Sequence, residues 1–183
     1  MPDTIDIADA KADDPEALRD ALVEQFAHLA DEVTALRTVV DGLPDAILEG
    51  RPEDGALSMK ELYGAIARLD AEVRPAQIDR LLQEDTPALS PVDVEADVFE
   101  DGWNEQPMAA ILDQVKTARR ALAEHLRALP LGAWHRTATL QDETVSLFAL
   151  VYRMTQDDFH RLRDLGYRLH GAHLSDRDEP LPT

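Results

Sequence analysis

From Pro15 onward, apolar side chains recur at alternating three- and four-residue intervals: Leu18, Leu22, Phe26, Leu29, Val33, Leu36 and Val40. That spacing lays one stripe along one face and predicts a helix. Asp14-Pro15-Glu16 supplies its start, with a cap, a first-turn proline and an acid at the positive helix end. Asp41-Gly42-Leu43-Pro44 stops it, and a Gly- and Pro-containing loop is expected to reach about Leu57. Ser58 with Glu61 forms a capping-box pattern for a second helix, which carries Leu62, Ile66, Leu69, Val73, Ile78, Leu81 and Leu82. Pro75 interrupts that helix and predicts a kink or a short break.

Residues 83–106 form a long connection, of the kind that crosses a fold or serves a function. A third helix is expected from near Pro107 through Leu129, with Ile111, Val115, Ala118, Leu122 and Leu126 on its apolar face. The stretch around Trp134 and His135 predicts an irregular or partly extended link, and no strand pair stands out. A fourth helix is expected over Val145–Leu169. The pattern therefore predicts an all-α, four-helix bundle with long connections over residues 15–171, between an acidic tail at 1–14 and a second disordered tail at 172–183.

Composition narrows the function classes. With 18 Lys+Arg against 37 Asp+Glu the net charge is −19, a field that repels phosphates, so no nucleic-acid partner is expected. There is no cysteine, so neither disulfides nor a protein thiolate are available. No apolar run approaches the roughly 20 residues that span a bilayer, and the acidic start is unlike a secretory signal; a cytoplasmic protein is expected.

The candidate chemistry lies on the fourth helix, where the inward register meets Asp158. Arg153, Asp157 and Arg161 follow one another at four-residue spacing, so their side chains stack turn upon turn. This is either an ion ladder on a solvated face or the rim of a cavity between helices. His160 is a further candidate ligand or base. His28, His125, His135, His170 and His173 form no His-x-x-x-His pair. Trp103 and Trp134, both in connections, read as plugs over the bundle ends. Neither a phosphate-binding glycine loop nor a nucleophile elbow occurs.

Four segments, LSMKELYGAIARLDAE, LLQEDTPALSPVD, WNEQPMAAILDQVKTARRALAEHLRALP and LFALVYRMTQDDFHRL, resemble the DinB/YfiT-like family of bundle metalloproteins, over about residues 18–169. The resemblance implies an up-up-down-down four-helix bundle, a homodimer, and a divalent nickel or zinc ion held by three histidines. One comes from the second helix and two, four residues apart, from the fourth. It also implies either a stress- or damage-response role or a mycothiol- or bacillithiol-dependent transferase or hydrolase activity. The corresponding positions in this chain are Ala65 (or Ile66), Asp157 and Arg161; the alternative register gives Gln156 and His160. Neither set supplies three ligands, since a guanidinium does not coordinate metals. The expectation is a bundle that binds no metal and acts as a binding or interaction module, with a small-molecule ligand. The alternative is an enzyme with an altered site that uses Asp157, Arg161 and His160.

Overall fold

The structure is a computed structural model that describes residues 14–40, 42–52, 55–91 and 102–175. The expected acidic tail therefore lies, apart from Asp14, outside the described residues. The Asp14 carboxylate caps the first helix, α1 (Pro15–Val40), by accepting from the amides of Glu16 and Ala17 at 3.0 and 3.1 Å. The loop expected after Val40 contains a short helix, α2 (Asp45–Glu49).

The second long helix begins as α3 (Met59–Arg68), where Ser58 and Glu61 close the capping box that their spacing predicts. It continues without a break through a π-helical turn (Leu69–Val73) into α4 (Arg74–Gln83). In a regular helix the ring of Pro75 would strike the carbonyl four residues back. The chain widens one turn earlier instead, and the Arg74 amide bonds to the Leu69 carbonyl.

The third and fourth bundle helices are α5 (Met108–Ala128) and α7 (Leu147–Ser175). The latter runs past Leu169, so residues 172–175 are helical, and only 176–183 of the expected tail lie outside the described residues.

A small sheet corrects the expectation of no strands. Strand β1 (Ala88–Leu89) pairs in parallel with β2 (Thr137–Leu140), which pairs antiparallel with β3 (Glu143–Ser146). The two-residue β2–β3 turn puts Gln141 and Asp142 at φ 49° and 68°, the left-handed geometry that suits the twist of a hairpin. A single helical turn, α6 (Leu131–Trp134), precedes β2, and Arg136 reaches back to the Leu81 and Glu84 carbonyls at the end of α4.

Packing is not sequential: α1 lies against α5, α5 against α3, and α7 touches both α1 and α3. Two apolar clusters fill the interior. One joins the C-terminal parts of α1 and α7 to the N-terminal parts of α3 and α5, from Leu29 and Leu165 to Ile66 and Ile111. The other joins the opposite ends, from Phe26 and Val151 to Ile78 and Leu126. Hence α1 and α7 run one way and α3–α4 and α5 the other. The order is up-down-down-up rather than up-up-down-down, because the crossover falls on the long 84–107 connection between two parallel helices.

Both tryptophans are buried. Trp134 is completely enclosed, and the Trp103 indole lies against Gly64, where an added Cβ would sit 2.1 Å from the ring. Val23 is in the core of its own chain, while Val39 is exposed. No helix among the described residues is long and apolar enough to cross a membrane.

Candidate functional site: a buried ion layer and the cleft beside it

Between the two apolar clusters every bundle helix contributes to one polar layer. Phe26 (α1), Asp70 (the π turn), Arg74 (α4), Arg119 (α5) and Asp158 (α7) meet there, and all five are buried. The charged groups close a ring. Arg74 donates to Asp70 Oδ1 at 2.6 Å and to both Asp158 oxygens at 2.6 and 3.1 Å. Arg119 donates through Nε to Asp70 Oδ2 at 2.6 Å and through Nη2 to Asp158 Oδ2 at 2.7 Å. Two further guanidinium N–H groups donate to the carbonyls of Phe26 and Met154. The Arg119 guanidinium stacks 3.8 Å over the Phe26 ring, and that of Arg74 lies 5.6 Å from it.

Burial by itself raises the Asp158 pKa. The charges and hydrogen bonds of Arg74 and Arg119 more than reverse this and hold it below the usual carboxylate range. For Arg74 burial lowers the pKa, and the two carboxylates drive it above its ordinary value. Each buried charge is thus met by opposite charge and directed hydrogen bonds, the condition under which such a layer is tolerated.

Arg161 is different. It stands beside the layer with Nη1 out of contact with solvent and without a hydrogen-bond partner, 3.7 Å from Asp158 Oδ1. Desolvation lowers its pKa, repulsion from Arg74 lowers it further, and Asp158, Asp157 and Asp70 offset only part of this.

The predicted ladder does not form: Arg153 pairs with Glu143 on β3 at 2.5 Å, and no ion pair joins Asp157 to Arg153 or Arg161. Geometry explains this, because Asp158 rather than Asp157 points inward and draws Arg161 toward the layer. Arg153, Gln156, Asp157 and Arg161 do share one feature: together with Arg74 they line a cleft of about 390 Å³ between α4, the β2–β3 turn and α7. His160 is exposed and faces Arg163 and Phe159. Ala65 and Ile66 belong to the apolar cluster with Leu165 and Leu169. No group of three His, Asp or Glu side chains among the described residues is placed to hold a metal ion.

Asp70, Arg74 and Arg119 escaped the sequence reading. Asp70 and Arg74 at i,i+4 look like any solvated pair. Arg119 carried the one available signal, since it falls four residues after Val115 and three before Leu122, in apolar register.

A four-helix bundle of non-sequential neighbours with a charged layer at mid-height is the class these features define. The solved structure of YfiT from Bacillus subtilis, reported as "a probable metal-dependent hydrolase with an unusual four-helix bundle topology", matches this chain in fold with a TM-score of 0.69 at 16% identity, over 82% of this chain and 85% of that one. The chain therefore has a YfiT-like fold. No family model and no curated protein matches it.

Proposed function

We propose that this protein is a metal-independent binding module built on the YfiT-like bundle. The observation that carries this reading is the Asp70–Arg74–Asp158–Arg119 ring. At the level where the second, third and fourth bundle helices turn charged side chains inward, both carboxylates are engaged by guanidiniums. A divalent cation brought there would meet two fixed positive charges and no free ligand. The YfiT structure supports the fold, and the metal dependence reported for it is not carried over.

The cleft next to the ring supplies the binding function. At about 390 Å³ it is within the range of small-molecule sites, and its lining is mainly polar and charged, with an apolar strip of Leu69, Leu140, Leu150 and Met154. The alternative, catalysis through Asp157, Arg161 and His160, is weaker, because His160 does not line the cleft with the other two.

The experiment is elemental analysis of the untagged protein, followed by calorimetric titration with zinc and nickel. We expect metal far below one equivalent per chain and no saturable uptake. One tightly held equivalent that survives dialysis would overturn the reading.

A further inference from the structure

Within the layer itself the charges do not sum to zero. Three guanidiniums (Arg74, Arg119 and Arg161) converge there on two buried carboxylates (Asp70 and Asp158), and the third carboxylate nearby, Asp157, is exposed and makes no ion pair with Arg161. The excess positive charge of the layer rests on Arg161, whose Nη1 has no hydrogen-bond partner among the described residues and which lines the cleft. A partly desolvated guanidinium whose one close carboxylate, Asp158 at 3.7 Å, is already hydrogen-bonded to Arg74 and Arg119 is costly, and it is the kind of group a ligand satisfies.

The cleft states the rest of the chemistry. Leu69, Leu140, Leu150 and Met154 form its apolar wall. Arg153, the other cation beside Arg161 on α7, already has Glu143. Asp157 stands exposed on the lining, so a second negative charge on the ligand would face a like charge. From the −19 of the whole chain an anion gains no long-range attraction, and selectivity has to come from contact inside the cleft.

We propose that this cleft binds a small monocarboxylic acid with an apolar body, its carboxylate on the Arg161 guanidinium and its chain along Leu69, Leu140, Leu150 and Met154. A guanidinium presents two parallel donors that match a carboxylate, and one negative charge balances the one in excess. A phosphate monoester shares the affinity for arginine but carries charge that Asp157 opposes.

This inference names the ligand class for the binding module proposed above and rests on that reading. The probe is sodium hexanoate, added to the intact protein and followed on the arginine Nε–Hε resonances. Hexanoate is expected to shift the Arg161 resonance saturably. Hexanamide, with the same body and no charge, should bind weaker by roughly tenfold or more, the value of one charge-assisted hydrogen bond. Inorganic phosphate should bind more weakly than hexanoate. Arg161→Gln should lose hexanoate binding by a similar factor while keeping its helical circular dichroism, and Arg161→Lys should recover part of it. Equal binding of hexanoate and hexanamide, tighter binding of phosphate, or unchanged hexanoate binding in Arg161→Gln would each overturn the proposal. The wild-type resonances carry the test if the variants fail to fold. Metal content is measured separately, so failure here and failure of the metal-independent reading are distinct results.

Discussion

Asp157 and Asp158 are neighbours with opposite environments, and the contrast makes a direct test of the ion layer. Asp157→Asn removes an exposed carboxylate with no ion pair and should change stability by only about 0–1 kcal/mol. Asp158→Asn strands Arg74 and Arg119 in the interior and should cost roughly 3–5 kcal/mol by urea unfolding. Equal small effects would show that the layer contributes nothing to stability. The pH dependence has a definite sign. Because the folded pKa of Asp158 is depressed, its stabilisation is fully present above the unfolded value of about 3.9 and is lost as pH falls through the folded one. The gap between wild type and Asp158→Asn should therefore be constant near neutrality and close in acid.

Among the elements, the start of α3 shows why two separate segments of the sequence belong together. The Ser58 hydroxyl accepts from the Glu61 amide and donates to Asn104, whose side-chain amide donates in turn to Glu61 at 3.1 Å. Arg51 also pairs with Glu61. One residue away, Trp103 occupies the space that Gly64 leaves open. Gly64→Ala has to displace an indole, not the end of a flexible chain, and should cost about 1–3 kcal/mol. A red shift of tryptophan emission on the same variant would report the displaced ring. Unchanged stability and emission would mean that Trp103 does not hold the 103–105 turn to α3.

For the whole molecule the excess of acidic groups is the dominant long-range term. A net charge of −19 on one small bundle repels itself, and salt screens exposed charges over about 10 Å at 0.1 M while reaching the buried ring far less. Raising NaCl from about 10 to about 200 mM should therefore raise Tm, by roughly 2–4 °C for each kcal/mol recovered. A falling Tm would show that surface ion pairs outweigh the net repulsion. The homodimer that the family resemblance implies remains a proposal.

The four amphipathic stripes, the Ser58 capping box and the start of α5 after Pro107 were legible in the sequence, because helix periodicity and capping are local. The inward Asp158 was legible as a break in an apolar register, although its partners were not. Asp70, Arg74 and Arg119 come from three places in the chain, and only packing shows that they share one buried layer with it. The same holds for the hairpin, whose Gln141-Asp142 turn lacks the usual glycine, and for helix direction, which the crossover decides. Spacing along a chain says which residues share a face. Which faces meet, and whether a charge between them is paired or left over as on Arg161, depends on contacts between residues far apart in sequence, and those exist only in the folded molecule.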